Sequence, residues 1–186
     1  MADTLDNVPG WVSDLHKIGL EVGRSVRSSI DIDASAGQVW NAISKHGNLG
    51  DCHPFCAETN VLSWPGNGSR DTITYLSGFT YTRNFVAWFE GVGYDIELGD
   101  RPNTTARVLW RIENNSNNKS MLSIEVVPFI KTELSDEKKR QYIERLFGPV
   151  LQHYLDCVVR GYDYHVTTGK SVTSNQFGRN PHYSAR

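Results

Sequence analysis

The fold is decided by the stretch IERLFGPVLQHYLDCVVRGY, residues 143–162. Its apolar residues recur every three or four positions, which predicts a helix with one broad apolar face that packs on another element. Gly148-Pro149 interrupts this pattern, so we expect a kink or a break at Pro149. The apolar positions are Ile143, Leu146, Phe147, Val150, Leu151, Tyr154, Leu155, Val158, Val159 and Tyr162.

The segments before this helix alternate in polarity and are separated by turn residues, which is typical of an antiparallel meander. Ser35 and Gln38 fit a capping box, which predicts a short helix after the first strand, and Cys52-His53-Pro54-Phe55 follows as a loop or a broken second helix. The sequence therefore predicts an α+β fold in which a curved antiparallel sheet of about seven strands wraps around the long C-terminal helix. The predicted strands are 21–33, 55–63, 70–76, 79–90, 94–98, 107–113 and 119–128.

This order of elements, together with several short segments, resembles the START-like (SRPBCC) superfamily, and in particular its bacterial polyketide cyclase/dehydrase-like members. The resemblance covers about residues 20–180 and implies the helix-grip fold, in which a cavity remains between the sheet and the helix. It also implies that the stretch around His53 and the hairpin turn Ser77-Gly78 gate this cavity. The matching segments are Val39-Trp40, His53-Pro54-Phe55, Trp64-Pro65-Gly66 with Gly68-Ser69, residues 91–96, residues 154–169 and residues 175–178.

A chain of 186 residues is most simply one domain. We divide residues 1–186 into an N-terminal extension (1–20), a helix-grip core (21–169) and a C-terminal tail (170–186). The tail contains Phe177, His182 and Tyr183, which are too apolar for a free end. We therefore expect it to be ordered, either against the body of the protein or against a second subunit in a homodimer.

Composition and charge exclude several classes of partner. The formal net charge is −2 and the basic residues are scattered, so we expect no nucleic-acid binding. No apolar run approaches the roughly 20 residues that a membrane-spanning helix needs, so we expect no transmembrane segment. The polar first ten residues do not resemble a signal peptide, and the odd number of cysteines, three, gives no disulfide framework, so we expect a cytoplasmic protein.

The predicted strand 79–90 carries the most informative polar residue. Tyr81, Arg83 and Phe85 share its aromatic, inward face, and a buried guanidinium needs a partner. A three-residue loop, Leu76-Ser77-Gly78 with Gly78 left-handed, would place Asp71 opposite Arg83. Two interpretations remain open: a cross-strand ion pair, or an arginine that meets a carbonyl or acidic group of a ligand.

Five further residues complete the predicted ligand-binding set. Tyr75, Tyr81 and Trp110 would hold the body of an apolar ligand, although Trp110 also fits an ordinary core position. Tyr154 would approach from the long helix, as a cavity hydroxyl or as a core tyrosine. His53 is expected to face the cavity. If the protein is an enzyme, His53 is the expected general base, because an unperturbed pKa of about 6.5 suits proton transfer near neutrality.

We expect no metal and no cofactor. The segment Asp51-Cys52-His53-x-x-Cys56 contains metal-binding residue types, but the spacing is unusual and Pro54 stiffens it. Cys52 and His53 are adjacent and point apart in an extended chain, which makes a poor catalytic pair. Gly91-Val-Gly93 lacks the third glycine and the following helix of a dinucleotide-binding motif.

Three functions remain open from the sequence. The first is binding of a small hydrophobic molecule of lipid, polyketide or aromatic type, as a carrier or sensor. The second is a cyclase- or dehydratase-like enzyme acting in the same cavity, and the third is an interaction domain whose cavity is filled. Aromatic residues make up 11% of the chain, and these can line a pocket or fill a bulky core. No recognised catalytic dyad is visible, which favours binding.

Overall fold

The computed structural model describes residues 9–115, 118–144 and 148–186. Five helices and eight strands follow one another along these residues. The helices are α1 (Gly10–Lys17), α2 (Ala36–Ile43), α3 (Leu49–Cys52), α4 (Asp136–Tyr142) and α5 (Pro149–Thr168). The strands are β1 (Leu20–Val22), β2 (Val26–Ile32), β3 (Cys56–Ser63), β4 (Arg70–Tyr75), β5 (Thr80–Phe89), β6 (Gly93–Leu98), β7 (Ala106–Asn115) and β8 (Lys119–Lys131).

The strands form one antiparallel sheet in the order β1-β8-β7-β6-β5-β4-β3, and β2 also pairs with β8. The sheet wraps around α5, so the predicted helix-grip architecture is confirmed. The single first strand predicted over residues 21–33 is wrong, because β1 and β2 are separate. Between them the Gly23 amide donates to the Pro128 carbonyl of β8, and a Cβ atom on Gly23 would lie 2.7 Å from the Ile130 side chain. Polar and apolar residues continue to alternate across this break, so the sequence pattern does not indicate it.

The predicted break at Pro149 is confirmed. Helix α4 ends at Tyr142, and α5 begins with Pro149 in its first turn. Proline suits that position because the first amide groups of a helix have no partner within it. The expected apolar positions Leu146 and Phe147 lie outside the described residues.

The core lies between α5 and the concave face of the sheet. The buried α5 residues Leu155, Val158 and Tyr162 belong to the same apolar cluster as Trp110 and Ile124 of the sheet. Helix α2 closes one end of this cluster, and its predicted capping box is confirmed, since Ser35 and Gln38 bond to each other's backbone amides. Of the described residues, no helix is both long and apolar enough to cross a membrane.

Helix α1 covers the opposite face of the sheet. Its Leu15 packs with Leu20 and Phe129, and the Trp11 ring lies 4.7 Å from the guanidinium carbon of Arg107. Arg107 alternates along β7 with Ala106 and Val108, which belong to the core, so it points outward. The N-terminal extension therefore packs on the outer surface and does not contribute to the cavity.

The C-terminal tail lies against the body. The Val172 amide donates to the Asp51 carbonyl and the Asn175 amide donates to the Pro54 carbonyl, each at 2.8 Å. Further along, the Ser77 amide donates to the Tyr183 carbonyl at 3.1 Å, and the Asn180 side chain donates to a carbonyl of α5. The tail thus connects α3, the β4–β5 hairpin and α5. Contact with a second subunit stays a prediction.

Candidate functional site

A cavity of about 190 Å³ lies between α5 and the concave face of the sheet. The structure brings all six sequence-predicted site residues to its wall, whereas their roles stay predictions. Those residues are His53, Tyr75, Tyr81, Arg83, Trp110 and Tyr154. Most of the remaining wall is aliphatic, and includes Ile73, Ile96, Val108, Ile124, Leu155 and Val158. An apolar wall with a few convergent polar groups is typical of small-molecule sites.

The β4–β5 hairpin sets which side chains point into this cavity. Its three-residue loop, 76–78, ends at Gly78 with a φ of 87°, a left-handed conformation that glycine adopts without strain. Asp71 consequently lies opposite Arg83, as the sequence predicts, and Ile73 lies opposite Tyr81. A one-residue change in the loop would turn this face to solvent.

Arg83 and Asp71 form a buried, two-point ion pair. The Arg83 Nε donates to one carboxylate oxygen at 2.7 Å and Nη2 donates to the other, and both side chains are less than a tenth exposed. Burial by itself would lower the pKa of Arg83, but the Asp71 charge and hydrogen bonds outweigh it and raise that pKa. The ion-pair interpretation is therefore confirmed. Among the described residues none accepts a hydrogen bond from Nη1, so a ligand contact stays a prediction.

Three polar side chains form a hydrogen-bonded chain at the cavity wall. His53 Nε2 lies 2.9 Å from the Tyr154 hydroxyl, which lies 3.1 Å from the Tyr75 hydroxyl. The Phe55 amide donates to His53 Nδ1 at 3.2 Å, which fixes the proton on Nε2. Burial, followed by the nearby Arg83 charge, lowers the pKa of His53 to about 3. The expectation of an ordinary histidine pKa is therefore wrong, because this imidazole is desolvated beside a cation.

Close packing between α3 and α5 holds His53 in place. A Cβ atom on Gly161 of α5 would lie 2.1 Å from the Cys52 carbonyl oxygen, so only glycine permits this approach. His53 itself is 5% exposed, and the tail segment 172–175 hydrogen-bonds across its loop. His53 faces the cavity as predicted, and a role of this stretch as a gate stays a prediction.

The tail supplies wall residues that sequence reasoning did not place in the site. The Tyr183 ring lies 4.1 Å from that of Tyr154 and 4.7 Å from that of Tyr75, measured between centroids. His182 stacks on Phe79 at 4.9 Å, and both also line the cavity. The apolar character of the tail was the available signal, but no local pattern indicates which surface a tail covers.

The cavity opens where its lining residues are partly exposed. These residues come from the β4–β5 hairpin and the start of β5, the end of β6 and the β6–β7 connection, α4, the first half of α5 and the tail. Phe79 is 51% exposed, which places the Ser77-Gly78 hairpin beside the opening as expected. The partly exposed lining residues are Phe79, Tyr81, Leu98, Thr105, Tyr142, Val150, Tyr154, His182 and Tyr183.

The cysteines near His53 are shielded from solvent to different degrees, Cys52 being buried and Cys56 partly buried. Burial raises the pKa of Cys52 to about 12 and that of Cys56 to about 11, so both thiols stay protonated at neutral pH. Within the part of the chain that the structure describes, no group of three or more His, Cys, Asp or Glu side chains is placed to hold a metal ion.

Comparison with known proteins identifies the fold. The sequence matches no protein-family model and no curated protein. Norcoclaurine synthase from Thalictrum flavum, solved with dopamine and hydroxybenzaldehyde, is 12% identical, with a TM-score of 0.62 over 92% of this chain and 99% of that one. A START superfamily protein from Mycobacterium smegmatis is 14% identical, with a TM-score of 0.59 over 80% and 100% of the chains. The Zhui aromatase/cyclase from Streptomyces sp. R1128 is also 14% identical, with a TM-score of 0.59 over 80% and 99%.

These three structures and this chain share one architecture at low sequence identity. The chain therefore has the START-like helix-grip fold, as its sequence predicts. A shared fold does not fix a shared function, so ligand and chemistry have to be argued from the cavity itself.

Proposed function

We propose that this chain of START-like fold binds a small hydrophobic molecule in its internal cavity and acts as a carrier or sensor. The observation that carries the proposal is the cavity of about 190 Å³, walled by aliphatic and aromatic side chains. An engineered apolar cavity of roughly 150 Å³ admits benzene, so this larger cavity, which opens beside Phe79, suits an aromatic body of about one to three rings. Tyr75, Tyr81 and Trp110 contribute flat surfaces that can contact such a body.

The polar groups of the cavity favour binding over catalysis. A cyclase or dehydratase needs a base within reach of its substrate. His53, the expected base, uses Nδ1 to accept from the Phe55 amide and Nε2 to contact Tyr154, and its lowered pKa makes it a weak base. Arg83 is held by Asp71. The cyclase/dehydratase alternative would therefore need a base from outside this set.

Proteins of similar fold give the proposal further support. The norcoclaurine synthase structure holds dopamine and hydroxybenzaldehyde, which are single-ring molecules. Their size agrees with the volume available between α5 and the sheet of this chain. Lipid, polyketide and aromatic ligands all remain within the proposal.

Titration with the neutral fluorescent probe N-phenyl-1-naphthylamine tests this function. We expect saturable 1:1 binding to the unmodified protein. Ala106 is buried and lines the cavity, so Ala106→Phe should fill the space and weaken probe binding at least about 10-fold. Ala57 lies exposed on β3 and provides the control Ala57→Phe, which should bind normally. Equal binding by the two variants would exclude the cavity as the site.

A further inference from the structure

The hydrogen-bonded chain in the cavity has a direction. His53 Nδ1 accepts from the Phe55 amide, so the imidazole proton is on Nε2 and is donated to the Tyr154 oxygen. Tyr154 and Tyr75 then share one hydrogen bond, in which either hydroxyl can be the donor. Hydrogen-bond donation therefore runs from His53 toward the two tyrosines, and only its first step is fixed.

A count of polar hydrogens shows that the three hydrogen-bonded side chains lack one acceptor. His53 Nε2, Tyr154 and Tyr75 carry one polar hydrogen each, and two hydrogen bonds join the three groups. One tyrosine O–H is therefore left over, whichever hydroxyl donates to the other, and no described residue accepts from it. Both tyrosines line the cavity, so this hydrogen is available to a ligand. A buried donor without an acceptor is costly, more so than an unused acceptor lone pair.

Among the described residues, the cavity wall carries no unpaired charge. Arg83 is neutralised by the two-point contact with Asp71, and His53 is held in its neutral form by the Phe55 amide. Among the residues that the structure describes, a carboxylate ligand would therefore find no unpaired cation to balance it, which is unfavourable in a desolvated site. The hydroxyls of Tyr81 and Tyr183 can donate or accept and set no preference.

We infer that the ligand is a neutral molecule whose apolar body carries a hydrogen-bond acceptor, such as a ketone, ester or ether oxygen, directed at the paired hydroxyls of Tyr75 and Tyr154. This inference rests on the proposed binding function and narrows it. It also favours a carbonyl over a carboxylate as the polar group of the ligand, whereas the sequence left both open.

Three naphthalenes of similar shape test the inference by displacing N-phenyl-1-naphthylamine at pH 7.5. They are 2-acetylnaphthalene, 2-isopropenylnaphthalene, in which a methylene replaces the ketone oxygen, and 2-naphthoate, which is ionised. We expect the ketone to bind about 3- to 10-fold more tightly than the alkene, as one neutral hydrogen bond gives. The carboxylate should bind at least about 10-fold more weakly than the ketone.

The double variant Tyr75→Phe/Tyr154→Phe connects this preference to the hydroxyls. Its ketone-to-alkene affinity ratio should fall, because both hydroxyl groups that could donate to the ketone oxygen are removed. The ratio is taken within one variant, so it does not depend on lost stability, and Tyr164→Phe, outside the cavity wall, should keep the unmodified ratio. Equal binding of ketone and alkene, or tightest binding of the carboxylate, would overturn the inference and leave the binding function intact. If the probe itself does not bind, both proposals fall.

Discussion

The imidazole Nε2 of His53 lies 2.9 Å from the Tyr154 hydroxyl, and this contact joins the end of α3 to the middle of α5 inside the cavity. His53 is buried and Tyr154 is partly buried, so the contact is largely shielded from water. Burial raises the pKa of Tyr154 and lowers that of His53, so both stay neutral near pH 7. The pair is thus a fixed, uncharged element of the cavity wall.

The neutral state of His53 should make stability depend on pH. Its folded pKa of about 3 lies below the unfolded value of about 6.5, so below pH 6.5 the unfolded chain binds a proton that the folded protein does not. Stability should fall with falling pH by up to about 1.4 kcal/mol per unit from this group. Between pH 7.5 and 5, urea unfolding should show up to about 2 kcal/mol more loss in the unmodified protein than in His53→Gln. Parallel pH profiles would refute this.

The approach of α3 to α5 should depend on Gly161. In Gly161→Ala the added methyl would lie 2.1 Å from the Cys52 carbonyl oxygen, so the loop that holds His53 must move. We expect a loss of at least about 2 kcal/mol in chemical unfolding, together with weaker probe binding. Gly50→Ala on α3, where a Cβ meets no atom within 4 Å, is the control and should leave both unchanged. A neutral Gly161→Ala would mean that this contact does not hold the site together.

Breaking the Asp71–Arg83 pair should mainly cost stability. Arg83→Met leaves a buried carboxylate and Asp71→Leu leaves a buried guanidinium, and each should destabilise by about 3–5 kcal/mol. The double variant Asp71→Leu/Arg83→Met buries no charge and should regain most of this loss. Melting temperature and probe affinity are measured together. Unchanged melting with weaker affinity in Arg83→Met would make Arg83 a ligand anchor and not a structural residue.

Deleting residues 172–186 should lower the melting temperature by several degrees, because the tail packs Tyr183 against Tyr154 and Tyr75 and hydrogen-bonds to the His53 loop. The point variant Tyr183→Ala should reproduce part of this loss, up to about 3 kcal/mol. Size-exclusion chromatography of the same proteins tests the second-subunit alternative. A dimer that dissociates on deletion, without a change in melting, would assign the tail to an interface.

Sequence reasoning succeeded where the determinants were local. The helix break follows from Pro149 itself, and the position of Asp71 opposite Arg83 follows from the length of one loop and the period of two strands. Capping at Ser35 has the same local character. These features need only the chemistry of a few consecutive residues.

Features set by distant parts of the chain were missed. The low pKa of His53 requires the tail, α5 and Arg83 to surround it, and Tyr183 enters the wall from 130 residues further along the sequence. The break between β1 and β2 depends on how both strands meet β8. No local sequence pattern indicates packing between segments that lie far apart in the sequence.

Methyl NMR of the protein titrated with N-phenyl-1-naphthylamine tests the central claim most directly. Ile73, Ile96 and Ile124 line the cavity, whereas Ile18 lies under α1 on the outer face of the sheet. The account predicts saturable ring-current shifts of the δ1 methyl groups of the three cavity isoleucines, with Ile18 unchanged. Shifts confined to Ile18, or no saturable shift at the cavity isoleucines, would contradict the claim that this chain binds a hydrophobic molecule between its sheet and its C-terminal helix.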